Sequence, residues 1–153
     1  MPIPSLEDNI GDVTQTVNPA TITSDTNGTG MDKQGWGSTK HIVNVGESGD
    51  TWSGSDYFDI IIQDSADNST FAAVTDATKL NGTMTTLASG IVDVFDAEAE
   101  DNALSEIEYI GDKRYSRIVI DATGTHSNGT PMSAVSFNFN PRYAGSVGGT
   151  PSF

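Results

Sequence analysis

The chain contains no cysteine and few basic residues. Without cysteine there is no disulfide framework, no thiolate zinc site and no cysteine nucleophile. Seven Lys and Arg stand against 21 Asp and Glu, which gives a formal net charge of −14. Contacts with nucleic-acid phosphates or anionic lipids need cations, so this balance disfavours nucleic acid and membranes as partners. It leaves open a partner whose docking face is basic.

Apolar residues are scarce as well. They make up 35% of the 153 residues, and no apolar run approaches the roughly 20 residues that span a bilayer. The first residues, MPIPSLEDNIGDV, lack the charged and apolar regions of a signal peptide, so we expect a protein made and kept in the cytoplasm. The 16 glycines lie among many Thr, Ser, Asn and Asp, a composition typical of short strands joined by turns.

Beyond residue 37 the chain is a succession of strand patterns. Apolar and polar residues alternate in short segments that are separated by Gly, Asn and Asp turns. The predicted strands are 39–45, 57–64, 70–75, 90–97, 103–111, 114–122 and 132–140, and residues 83–88 are either a weak strand or a crossing loop. No segment has helical periodicity. We therefore predict an all-β protein, an antiparallel β-sandwich of jelly-roll type with about eight strands.

Alternation also predicts which side chains face the core. In 114–122, Ile118 and Ile120 point one way, and Tyr115, Arg117 and Val119 point the other. In 132–140 we expect the larger apolar side chains to face inward and the smaller or polar ones to face outward. The inward set is Val135, Phe137 and Phe139, and the outward set is Met132, Ala134, Ser136 and Asn138.

The two ends differ from the middle of the chain. Residues 1–37 are poor in large apolar side chains, and we predict an extended N-terminal arm with one strand near Thr14 to Thr23. Residues 38–142 form the predicted sandwich. The Gly-rich and Pro-containing residues 143–153 form a predicted irregular tail.

The sequence offers no catalytic constellation. His41 lies within a predicted strand, where we expect a packed or surface histidine, and His126 lies in the turn-rich GTHSNGTP, where we expect hydrogen bonds within a loop. No nucleophile elbow or phosphate-binding loop is present. We predict a protein that is not an enzyme, with no catalytic, cofactor-binding or metal-binding residues.

Two oxygen-rich segments leave calcium open as an alternative. They are Asp64/Asp67/Asn68 and Asp96/Glu98/Asp101. Closely spaced oxygen ligands suit calcium, but neither segment matches an EF-hand loop. Turn chemistry is the preferred interpretation of both segments.

Aromatic and basic residues supply the candidate interface. Trp36 and Trp52 flank the first predicted core strand; we expect them to cap a core or anchor an interface, with sugar binding as the alternative. Lys113, Arg114 and Arg117 lie within five residues. In one interpretation Lys113 sits in a hairpin turn, and the two arginines pair with nearby carboxylates such as Glu106 and Glu108 on the preceding strand. In the other, Arg117 lies at an inter-subunit contact. The candidate interface residues are Lys113, Arg114, Tyr115, Arg117, His126, Trp36 and Trp52.

The order YIGDKRYSRIVIDATGTHSNGTPMSAVSFNFNPR resembles a pattern in capsid decoration (cement) proteins of tailed bacteriophages. In that family a Gly-x-Lys-Arg-Tyr-x-Arg strand leads through a Gly-Thr-His turn and a Gly-Thr-Pro to a last apolar strand. The upstream DYFDIIIQDSADNSTFAAVTD is similar to another family segment, so the resemblance covers about Thr39 to Arg142. The matching motif positions are Lys113, Arg114, Tyr115, Arg117, Gly124, Thr125, His126, Gly129, Thr130 and Pro131.

The resemblance implies a non-enzymatic sandwich that binds the major capsid protein on the outer face of the shell, self-associates as a homotrimer and is assembled in the host cytoplasm. The long polar N-terminal segment and the polar last strand SFNFN depart from the family pattern. The alternatives are a tail, fibre or head-tail connector component of the virion, or a carbohydrate- or calcium-binding module.

Overall fold

The computed structural model describes residues 9–142 and contains two antiparallel β-sheets packed face to face. The strands are β1 Thr14–Ile22, β2 Thr26–Asn27, β3 Met31–Asp32, β4 Trp36–Val45, β5 Tyr57–Ser65, β6 Ala72–Ala73, β7 Leu80–Asn81, β8 Ile91–Phe95, β9 Leu104–Tyr109, β10 Tyr115–Thr123 and β11 Thr130–Pro141. Short 3-10 turns lie at Ala77–Lys79, Ala88–Gly90 and Glu98–Glu100. The predicted β-sandwich is confirmed.

The sheet order is that of a jelly roll. The first sheet runs β1-β11-β4-β9-β7, and the second runs β2-β10-β5-β6, with β3 beside β10 and β8 beside β5. The pairs β1–β11, β2–β10, β4–β9 and β5–β8 are all antiparallel. These are the pairs obtained when a chain is folded double and the resulting long hairpin is wrapped into two sheets, which is the jelly-roll arrangement.

The core lies between the sheets and is built from alternating residues of the long strands. Phe58, Ile60 and Ile62 of β5 and Ile118 and Ile120 of β10 are each 0% exposed. The inward direction predicted for the two β10 isoleucines is therefore confirmed. Across the core, the first sheet contributes Val43, Val45, Ile107, Tyr109, Met132 and Ala134.

The predicted facing of the last strand is wrong. Along β11 it is Met132, Ala134, Ser136 and Asn138 that are buried, whereas Val135, Phe137 and Phe139 are only partly buried on the outer face. A shift of one residue exchanges the two faces of a strand, and here the more polar of the two alternating sets is the buried one. Met132, Ala134, Ser136 and Asn138 face inward because Ser136 belongs to a chain of hydrogen bonds between the sheets.

The N-terminal residues that the structure describes are not an arm outside the sandwich. The strand expected near Thr14 to Thr23 is present as β1, and it pairs with β11 at the edge of the first sheet. Strands β2 and β3 add to β10 in the second sheet. The expected boundary at residue 37 falls inside β4. Residues 1–8 of the predicted arm and the predicted tail at 143–153 lie outside the described residues.

Two further local predictions need correction. Residues 70–75 form a strand only at Ala72–Ala73. Of the two alternatives for residues 83–88, the structure has the loop and not the weak strand. The connection at residues 110–114 is not a hairpin, because β9 belongs to the first sheet and β10 to the second. The basic cluster therefore lies where the chain crosses from one sheet to the other.

Candidate interaction surfaces

Lys113 is bound to a buried carboxylate beneath the crossing. Its Nζ lies 2.9 Å from Oδ1 of Asp64, whose side chain is 5% exposed. The second oxygen of Asp64 accepts a 2.9 Å hydrogen bond from the Tyr109 hydroxyl, which itself accepts the Lys113 backbone N–H at 3.2 Å. Burial, followed by the Asp64 carboxylate, raises the pKa of Tyr109. This network joins β9 of one sheet to β5 of the other.

Lys33 reinforces the same crossing. Its side chain is buried, with the residue 3% exposed, and Nζ donates to the Gly111 carbonyl at 2.6 Å. The ammonium also lies 5.4 Å from the centre of the Tyr109 ring. Burial lowers the pKa of Lys33. Nothing in the Gly-rich segment NGTGMDKQGWG predicted that Lys33 would be buried.

Arg114 forms a two-pronged ion pair with the N-terminal part of the chain. Its Nε and Nη2 donate to the two carboxylate oxygens of Asp32 at 2.9 and 2.6 Å. The guanidinium also lies 5.1 Å from the ring centre of Tyr115. Hydrogen bonds from Arg114 hold the pKa of Asp32 below its ordinary value. Arg114 therefore joins β3 to β10 by an exposed ion pair, and whether it also contacts a partner stays a prediction.

Arg117 lies on the outer face of the second sheet and has no carboxylate partner among residues 9–142. Its Nε donates to Oε1 of Gln63 at 2.9 Å, and the guanidinium lies 4.1 Å from the ring centre of Phe71. Burial lowers the pKa of Arg117. The side chain is thus held in place while part of its guanidinium remains free to bind an anionic group.

The expected pairing of these arginines with Glu106 and Glu108 is wrong. The two glutamates lie on β9 in the other sheet, where Glu106 binds Lys40 at 2.9 Å and Glu108 accepts a hydrogen bond from Asn81. The assumption of a hairpin between the segments caused the error, since a crossing between sheets separates their side chains. Whether Arg117 contacts another subunit stays a prediction.

His126 is buried in an ordered turn and is 5% exposed. Its Nε2 donates to the Thr123 carbonyl at 2.9 Å, and its ring lies 4.1 Å from that of Phe58. The turn is also held by Asp50, which accepts the Gly129 N–H at 2.6 Å. Its hydrogen bond inside the loop is the role expected for this histidine, and the burial removes it from the accessible surface.

The two tryptophans occupy different environments. Trp52 is 5% exposed and packs on Phe95 with ring centres 6.0 Å apart, so it belongs to the core. Trp36 is partly exposed at a cavity of about 420 Å³. The other residues that line the cavity are Ile10, Gly11, Asp12, Thr14, Met31, Asp32 and Asn138. Trp36 thus remains the one of the two that a ligand or partner can reach.

The predicted calcium alternatives find no support in the described part of the chain, where no group of three or more His, Asp or Glu side chains is placed to hold a metal ion. Asp64 points inward to Lys113, as described above. Asp67 caps its own turn by accepting the N–H groups of Ser69 and Thr70 at 2.9 and 2.8 Å. These backbone hydrogen bonds lower the pKa of Asp67 to about 2.

A buried chain of hydrogen bonds explains why β11 turns its polar set inward. The His41 ring, 0% exposed, lies between two serines: Nδ1 is 2.7 Å from the Ser136 hydroxyl and Nε2 is 2.8 Å from the Ser116 hydroxyl. Ser136 also bonds the Thr16 hydroxyl at 3.0 Å. Three strands of the first sheet and one of the second are linked in this way. A buried polar group needs such partners, so His41 fixes the facing of β11.

Because β11 turns its polar set inward, its larger apolar side chains lie on the outer face of the first sheet. We call the group Ile42, Val135, Phe137 and Phe139 the aromatic face. Ile42 is paired with Val135 across the strands, and the two phenylalanine rings lie 6.1 Å apart. The Lys40–Glu106 ion pair borders these residues, because Lys40 pairs with Phe137 and Glu106 with Ile42 in the sheet register. Sequence alternation misses this surface because it assigns these side chains to the core.

No helix among the described residues is long and apolar enough to cross a membrane. Comparison with known protein families and with curated proteins finds no match to this chain.

Proposed function

We propose that this chain is a capsid decoration protein that binds the outer surface of a tailed-phage shell through its aromatic face and stabilises the shell. The observation that carries the proposal is the outward facing of Phe137 and Phe139 on a central strand. Contiguous apolar surface on a sheet is typical of a contact site with another macromolecule. Aromatic residues are also enriched at the cores of such interfaces.

The charge distribution is compatible with this role. A net charge of −14 favours a partner with a basic face. The Lys40–Glu106 pair beside the aromatic face offers polar contacts at the edge of an apolar centre. A shell presents many equivalent sites, so an associated group of copies gains strength from several modest contacts.

The resemblance of residues Thr39 to Arg142 to phage decoration proteins supports the same assignment. The motif positions have structural roles here: Lys113 binds Asp64 beneath the sheet crossing, Arg114 joins β10 to β3, and Gly129 is held in the turn by Asp50. The motif therefore supports the fold that presents the aromatic face. The partner under this proposal is the major capsid protein, and the location is the capsid surface of the virion.

Co-sedimentation tests the proposal. Purified protein is mixed with heads of the phage that encodes it, prepared from a deletion strain that lacks this protein. The wild-type chain is expected to bind saturably and to raise the temperature at which the heads break. A Phe137→Thr/Phe139→Thr variant keeps β-branched strand residues but is expected to bind at least about tenfold more weakly, equivalent to 1.4 kcal/mol.

A matched control is Tyr57→Thr, which removes a partly buried aromatic side chain from β5 in the opposite sheet. This variant is expected to bind the heads like the wild type. Absence of binding by the wild-type chain, or equal binding by the folded phenylalanine variant, would contradict the proposal.

A further inference from the structure

The outer face of the second sheet has opposite charges at its two ends. We call it the polarised face and define it by three neighbouring pairs of β10 and β5. Arg117 pairs with Gln63, Val119 pairs with Ile61, and Asp121 pairs with Asp59. The face is therefore basic at one end, apolar in the middle and acidic at the other.

The basic end carries a guanidinium that its own subunit does not neutralise. Arg117 is fixed by Gln63 and by the Phe71 ring, but among residues 9–142 it forms no ion pair. A partly buried arginine has lost some of its hydration, so an additional carboxylate partner would recover electrostatic energy.

The acidic end lacks a cation, just as the basic end lacks a carboxylate. Asp59 is 8% exposed and lies directly across the strands from Asp121, and no hydrogen-bond donor or cation among the described residues satisfies its carboxylate. Asp25 adds a third carboxylate, one oxygen of which accepts the Ala122 N–H at 3.0 Å. Burial and neighbouring carboxylates raise the pKa values of Asp59 and Asp121. A cation from outside the subunit would relieve this repulsion.

The spacing of the two ends suits a second copy of the same face. Arg117 and Asp121 are four residues apart on one strand, a separation of about 13 Å, and Val119 lies midway. A two-fold axis in the plane of contact, perpendicular to the strands and passing at Val119, would bring each arginine over the partner's aspartates. Val119 is only 7% exposed, so the partly buried Ile61 beside it would supply most of the apolar contact near the axis, as in an isologous interface.

We propose that two copies of this chain pair through their polarised faces, with Arg117 of each copy bound to the partly exposed Asp121 of the other, beside the buried Asp59. The contact is independent of the proposed function, because it uses the sheet opposite the aromatic face. It leaves both aromatic faces of the pair open. The resemblance implies a trimer, whereas the charge pattern of this face favours a two-fold pair.

Charge exchange tests the pairing. Light scattering after size-exclusion chromatography measures the mass of wild type, Arg117→Glu, Asp121→Arg, the double variant and an equimolar mixture of the two single variants. Wild type is expected to be a dimer, and each single variant a monomer with pairing weakened at least about tenfold, since like charges would face each other. The double variant is expected to restore the dimer.

The mixture gives the sharpest result. Arg117→Glu has carboxylates at both ends of the face, and Asp121→Arg has a guanidinium at both ends beside the remaining Asp59, so the two are expected to form a mixed dimer although each pairs only weakly with itself. Lys40→Glu, which makes the same charge change on the opposite sheet, is expected to leave the dimer intact. Circular dichroism and melting temperature establish that each variant is folded, and Arg117→Gln and Asp121→Asn replace any that is not.

Three results would overturn the proposal. They are a wild-type chain that is monomeric up to about 0.1 mM, a wild-type trimer, and folded single variants that remain dimeric. A monomer would assign the acidic end to a basic partner of another kind. Because no phage head is present, failure here is distinguishable from failure of shell binding.

Discussion

His41 predicts how the fold responds to acid. Complete burial between the sheets lowers the pKa of His41 from 6.5 to about 3. Its ring faces only the neutral hydroxyls of Ser136 and Ser116, so no anion is present to stabilise an imidazolium. Replacement by glutamine, which does not titrate, isolates the contribution of this histidine. The quantity to compare is the pH dependence of the free energy of unfolding in the two proteins.

The sign follows from proton uptake. Below pH 6.5 the unfolded chain protonates His41 and the folded chain does not, so acid favours unfolding. With the pKa at about 3 in the folded state, the wild type loses about 3 kcal/mol from this one group between pH 7 and pH 4. The free energy of unfolding that depends on His41 falls most steeply between about pH 6 and pH 3, and it falls no further below the folded pKa.

Urea denaturation at intervals of pH provides the measurement. The carboxylates titrate in both proteins, so their effects cancel in the difference between wild type and His41→Gln. The variant is expected to be less stable at pH 7 but to lose about 3 kcal/mol less than the wild type on acidification to pH 4. Parallel stability curves for the two proteins would refute the assignment of a buried neutral histidine. A Ser136→Ala variant, which keeps His41, is expected to retain the wild-type slope.

Two further predictions concern stability. Asp64→Ala is expected to cost about 2–3 kcal/mol, which is less than the roughly 3–5 kcal/mol for breaking a fully buried pair, because the Lys113 side chain is 37% exposed. In urea denaturation, Asp64→Leu combined with Lys113→Met should lose less, and a larger loss would count against a coupled pair. Gly129→Ala is expected to cost at least about 1 kcal/mol, since φ is +72° and a Cβ would lie 2.6 Å from the Ile22 carbonyl oxygen; an unchanged melting temperature would disprove that constraint.

Much of the fold was predictable because alternation is a local property. The segments that became β4, β5, β8, β9, β10 and β11 contain β-branched or aromatic residues with clear period-two patterns. The turn residues between these segments separate about eight strands, and a sandwich of about eight short strands indicated a jelly roll. In β10 the pattern was unambiguous, since Ile118 and Ile120 alternate with polar or smaller residues.

The facing of β11 depended on contacts distant in sequence. Ser136 is buried because His41, 95 positions earlier, needs a hydrogen-bond partner. The local pattern favoured burying Phe137, which the fold instead places outside. The candidate docking surface was consequently invisible until the sheets were assembled.

The partners of the basic cluster were missed for a related reason. Arg114 pairs with Asp32, which belongs to a segment expected to lie outside the sandwich. Lys113 pairs with Asp64, which had been considered as a calcium ligand or turn residue. Arg117 was placed on the correct face, but local sequence did not reveal that Asp59 and Asp121 complete that face with the opposite charge.

Copy number in the virion tests the proposed decoration role most directly. Quantitative mass spectrometry of purified particles, with the major capsid protein as internal standard, measures it. Decoration of an icosahedral shell predicts on the order of hundreds of copies per particle, in fixed proportion to the major capsid protein. About six or twelve copies would indicate a connector instead, and absence from purified virions would contradict a structural role in the particle.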